Sequence, residues 1–164
     1  MRKINLTTLF IATILIYVTF HVTEEACGNF PLFMHENWGI PDIGYARWLL
    51  HNMLLFLPVL VAGLFVYSFD EARLLAFGAG ISLWGVLNFF EHLFYTIKNG
   101  AVSPGFFSSF LFVAVAIAVA VKLKSIGRLN IKTIALSFLC CVVYWIVPVL
   151  LIVTFGSKLA RIVD

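Results

Sequence analysis

Charged side chains make up only 12% of the 164 residues, while apolar residues make up 62%. A soluble domain carries about 25% charge, so a soluble enzyme built round a large core is excluded. The 11 Lys and Arg form no run, which removes a nucleic-acid stripe and any nucleic-acid partner. Three cysteines are too few for a disulfide framework. Cys140 and Cys141 lie together in an apolar stretch, where small soft side chains pack. Nucleophile elbow, phosphate loop, dinucleotide fingerprint and His-Glu-x-x-His are all missing, which argues against familiar hydrolase and nucleotide chemistry. No segment has the alternation of barrel strands.

Continuous apolar runs remain, and in a bilayer these are helices. A span needs about 20 apolar residues. The chain therefore reads as one all-α, polytopic membrane bundle over 1–164 with about five transmembrane helices: roughly Leu6–Glu25, Trp48–Phe69, Ala72–Ile97, a span opening at Ser103-Pro104 and ending near Val121, and Ile131–Phe155. Met1-Arg2-Lys3 before an apolar stretch resembles a signal peptide, but His21, Glu24 and Glu25 stand where a small-residue cleavage site is needed, so a retained first span is expected. Asp70-Glu71 reads as a tight turn, Ser103 as a helix cap before Pro104, and Pro148 as a bend. Gly78, Gly80 and Gly85 mark close helix contact.

Arg2, Lys3, Arg73, Lys122, Lys124, Arg128 and Lys132 fall on one side; Arg47, Lys98, Lys158 and Arg161 fall on the other. This bias places the amino terminus in the cytoplasm of a multi-pass protein of the cell membrane, and a polar, aromatic loop at about 26–47 outside.

Ionisable residues within spans cost about 2.5–3.5 kcal/mol each on insertion scales and are normally paired or functional. His21, Glu24 and Glu25 share a helix face by i+3 and i+4 spacing, as do Asn88, Glu91 and His92. His51-Asn52 opens the second span. At 1.5 Å per residue, His21, Glu91 and His51 each lie about 9–10 Å to the same, outer side of the midplane. Three helices thus bring histidines and carboxylates to one level.

His21-x-x-Glu24-Glu25, then Asn88-x-x-x-His92, then Ser103-Pro104-Gly105 resembles the HXXEE family of small bacterial membrane proteins. The resemblance spans roughly residues 17–110. It implies that His21, Glu24, Glu25, Asn88 and His92 matter, and it implies no reaction.

Imidazole and carboxylate donors suit one divalent transition metal, Zn, Fe or Mn. The di-iron pattern of Glu-x-x-His helices with four carboxylates is not matched. His21, Glu24, Glu25, Glu91 and His92 are the candidate ligands; Glu25 and Glu91 are the candidate bases on metal-bound water. Asn88, His51 and Tyr95 form the supporting set. Such a site acts on a lipid or another small apolar substrate at the outer leaflet. Two alternatives stay open: a metal-free proton or ion relay, whose path a homo-oligomer can complete, and a structural clasp between helices.

Overall fold

The computed structural model describes residues 5–69 and 74–163. Arg2 and Lys3, the Asp70-Glu71 turn and Arg73 lie outside the described residues. All regular structure among the described residues is helical. The six helices are α1 Leu6–Cys27, α2 Phe30–Trp38, α3 Gly44–Phe69, α4 Leu75–Asn99, α5 Phe106–Ser125 and α6 Ile131–Val163.

Within α1, Tyr17–His21 form one π-helical turn, in which the Val22 N–H reaches the Tyr17 carbonyl. Asn5 starts the helix by accepting the Thr8 N–H at 2.7 Å, an ordinary side-chain cap. The segment expected to be loop at 26–47 contains α2, whose second residue is Pro31. Proline suits a first turn because its missing N–H is not needed there. Helices α3 and α6 run on through Pro58 and Pro148.

Among the described residues four helices, not five, are long and apolar enough to cross a membrane: those over Leu6–Cys27, Gly44–Ser68, Phe106–Ser125 and Ile131–Phe155. The exception, α4, is 25 residues long, but Asn88, Glu91, His92 and Lys98 dilute its apolar half. Its position gives the physical reason. Helix α4 packs against α1, α3, α5 and α6 and buries Ile81, Trp84, Asn88 and His92 among them, so that face of its sequence answers to protein neighbours. Its other face, with Leu87, Phe90 and Phe94, carries exposed apolar side chains, as do α3, α5 and α6 with Leu64, Phe107 and Leu150, as expected of lipid-facing surfaces.

Small residues let the central helix sit close. A Cβ added at Gly85 would lie 2.9 Å from Phe112 Cβ on α5, and one at Gly80 would lie 2.8 Å from Cys140 Cβ on α6. The contact expected from these glycines is present. Ile81, Trp84, Phe112, Cys141 and Tyr144 form the core around this level. Gly85→Val should therefore push α4 from α5 and cost about 1–3 kcal/mol, the usual penalty of overpacking. Thermal unfolding in detergent measures it, with the lipid-facing Leu87→Phe expected to leave the midpoint unchanged.

Candidate metal centre

His21 and Glu25 stand one helical turn apart on α1, and His92 projects from α4. All three are buried, at 0%, 4% and 1% exposure. One ligand atom from each lies within 4.8 Å of the other two. His92 Nε2 is 3.4 Å from Glu25 Oε1, and His21 Nε2 is 3.7 Å from the same oxygen. The imidazole rings meet edge to face, with centroids 4.8 Å apart.

The opposite edge of each ring is anchored by serine. His21 Nδ1 is 3.0 Å from Ser108 Oγ, and His92 Nδ1 is 3.0 Å from Ser103 Oγ. Each hydroxyl also lies within hydrogen-bond distance of a carbonyl: Ser108 of Gly105 at 3.2 Å and Ser103 of Pro104 at 3.3 Å. A serine that donates to its carbonyl accepts from a ring Nδ1–H, the tautomer that frees Nε2 as a ligand. Both Nε2 atoms face one carboxylate oxygen, Glu25 Oε1. His21 Nε2 and Glu25 Oε2 are buried without hydrogen-bond partners, an arrangement that costs free energy unless something completes it.

The donor set fits a metal ion. The separation of 3.4 Å to His92 is a long hydrogen bond, and that of 3.7 Å to His21 is beyond one. Metal–N and metal–O bonds near 2.1 Å in tetrahedral geometry give donor separations of about 3.4 Å.

Gly105 closes the site from the side of α5. Its φ is +91°, and an added Cβ would come within 2.7 Å of His92 Cε1 and 2.8 Å of His21 Cε1. Glycine is required there twice, by conformation and by space.

The remaining candidates take distinct positions. Glu24 turns away from the three ligand atoms. Its Oε1 accepts the Phe107 N–H at 3.0 Å and its Oε2 the Ser108 N–H at 2.6 Å, so it holds the start of α5. That start lies at Phe106 with Gly105 before it. Ser103, expected to cap this helix, serves His92 instead, and a carboxylate from α1 supplies the negative charge that suits a helix N-terminus. Glu91 lies outside the group of three and accepts the Tyr95 hydroxyl at 2.9 Å. Asn88 is buried with its amide oxygen unpartnered.

Glu91, Asn88 and His51 line a cavity of about 240 Å3, together with Glu25 and His92. The level reached by three helices is thus real: His21, Glu25 and His92 meet, while Glu91, Asn88 and His51 join them across the cavity. Phe30 on α2 lies over His92 with centroids 5.5 Å apart, which makes the short helix a roof.

Ser103, Gly105 and Ser108 are the residues that sequence reasoning missed as parts of the site. A usable signal existed: Ser108-Ser109 interrupt an apolar helix just after Ser103-Pro104-Gly105. No protein-family model matches the chain, and neither a curated protein nor a solved structure matches it.

Removing the Glu24 carboxylate should act through the fold. Glu24→Ala is expected to lower stability by about 1–2 kcal/mol, as for a lost helix cap, while divalent-metal uptake stays within a few-fold. Thermal unfolding with parallel metal titration checks both; full stability with lost uptake would make Glu24 a ligand.

Proposed function

We propose that the chain is a membrane metalloenzyme in which His21, Glu25 and His92 bind one divalent transition ion, zinc, iron or manganese. The observation that carries this reading is the convergence of the two Nε2 atoms on one buried carboxylate oxygen, with one ligand atom from each residue within 4.8 Å of the others. Glu25 and His92 also line the cavity, so an open ligand position is reached from it. An ion there lowers the pKa of bound water. Glu91, with one oxygen held by Tyr95, is the general base, and Asn88 orients what binds beside it. The substrate is a lipid or another small apolar molecule.

In the same reading α4 crosses the bilayer as a fifth span. Its 25-residue length and its packing against four neighbours support this. The Lys and Arg bias then sets the amino terminus in the cytoplasm and the site at the outer leaflet of the cell membrane. The HXXEE resemblance accords with this reading, since His21, Glu25 and His92 belong to its motif positions.

Protein purified without added metal should contain about one equivalent of Zn, Fe or Mn by elemental analysis. His92→Ala should lower that content more than tenfold while the protein still inserts. Adding Glu25→Gln should lower it little further, because either change breaks one shared unit. Metal-free protein that conducts protons in liposomes would instead support the relay.

Cys27 tests the orientation, being an exposed thiol at the end of α1. In a Cys140→Ala, Cys141→Ala background, a membrane-impermeant maleimide should label intact cells. Labelling only after permeabilisation would place the site on the cytoplasmic side.

A further inference from the structure

The end of the bundle away from the metal centre carries a second cavity. It lies where the start of α4 meets the α5–α6 connection and the first turns of α6, and its volume is about 320 Å3, within the usual range for ligand sites, about 300–1,000 Å3. Arg128 and Lys132 stand in its wall beside Asn130. No Asp or Glu is among the described residues that line it, and the described acidic residues, Glu24, Glu25, Glu36, Asp42 and Glu91, belong to the opposite end. Asn130 caps α6 with its side-chain oxygen, accepting the Thr133 N–H at 3.0 Å, so its NH2 group remains as a donor. Leu75, Ala76 and Leu136 make the rest of the wall apolar.

Thr133 also lines a narrow groove of about 100 Å3 between α4, α5 and α6. Small side chains shape it: Ala79, Ala116 and Ala120. Ser82 lies in the same wall, buried with its hydroxyl unpartnered. A groove of this size takes a stretch of one hydrocarbon chain, the remainder lying in the bilayer. Cations at one end and an apolar groove leading from them match a molecule with an anionic head and an acyl chain. The Arg128 guanidinium donates to a phosphate in bidentate fashion, Lys132 adds a point charge, and an ester carbonyl is an acceptor for Ser82. Basic pockets between membrane helices take anionic lipid head groups in this way. A soluble anion would occupy the cavity alone and leave the groove without a role.

From this we infer that this end of the bundle binds one anionic phospholipid, its phosphate between Arg128 and Lys132 and one chain in the α4–α5–α6 groove. The site is separate from the metal centre and does not rest on it.

Purified protein in detergent is mixed with dioleoyl phosphatidylglycerol or dioleoyl phosphatidylcholine at equal mole fraction, and native mass spectrometry counts the lipid bound. One phosphatidylglycerol per chain is expected, retained at least tenfold more than phosphatidylcholine. Arg128 and Lys132 are exposed, so Arg128→Gln with Lys132→Gln should leave the fold intact and lower retention at least tenfold. Lys124→Gln, at the same end but outside both walls, should leave retention within twofold. Ala120→Leu, which narrows the groove at an exposed position, should weaken it at least threefold. Excess inorganic phosphate should not displace the lipid. Displacement by phosphate would show a site for the free anion and overturn the inference. Equal retention of the two lipids, a loss in Lys124→Gln as large as in the double variant, or full retention in Ala120→Leu would each overturn it as well.

Discussion

Ser103 and Ser108 hold the Nδ1 edges of His92 and His21 at 3.0 Å, and the orientation of both imidazoles depends on those contacts. With that edge held, each histidine turns Nε2 toward Glu25. Partners on the far edge of an imidazole fix its tautomer and raise its quality as a ligand. The chain segment that provides them, Ser103 to Ser108, must lie hard against both rings, and Gly105 permits this by having no side chain. Glu24 secures the same segment by holding the first N–H groups of α5. Ligands and scaffold are therefore built from adjacent residues on α1: Glu25 faces the histidines while Glu24 fastens the helix that positions them.

The arrangement of the helices follows from the need to enclose this polarity. Polar and ionisable groups facing lipid carry a heavy penalty, and facing the bundle interior removes most of it. Helix α4 carries Asn88, Glu91 and His92, and four helices pack against it so that Asn88 and His92 are buried. Hydrophobic attraction between helices is weak in lipid, so close packing must hold them together. Gly80 and Gly85 provide that closeness where α6 and α5 press against α4. Helix α2 completes the enclosure, with Phe30 above His92.

Much of the centre was legible in the sequence because its residues obey helical spacing. His21 and Glu25 are four apart, and the distance of each residue from its span centre placed Glu91, the neighbour of His92, at the level of His21. Tyr95 was expected as a donor to this cluster, and its acceptor is Glu91. Other features depend on contacts that spacing does not encode. Glu24 and Glu25 have the same chemistry in sequence, and only the approach of α5 separates their roles. Ser103 carried a strong local signal as a helix cap, which the tertiary bond to His92 overrides. Helix α2 is a short, mixed segment whose glycines and prolines resemble loop punctuation. The number of apolar spans was overcounted at α4, where hydropathy records the polar residues its packed face carries, Asn88 and His92 among them.

The π-turn at Tyr17–His21 gives the motif on α1 a phase in addition to a spacing. Along an uninterrupted α-helix, the eight steps from Tyr17 to Glu25 amount to about 800° of rotation, some 80° past two full turns. A turn that accommodates one extra residue takes back up to about 100°. Tyr17, bonded to Asn52 on α3, and Glu25, facing His92 on α4, can then look toward the same interior from one rod. The five letters from His21 to Glu25 are consequently not portable by themselves. Grafted onto a regular helix of another bundle, they would keep their mutual distances but point to a different compass bearing relative to everything upstream. The transferable unit is longer than the motif and begins at Tyr17.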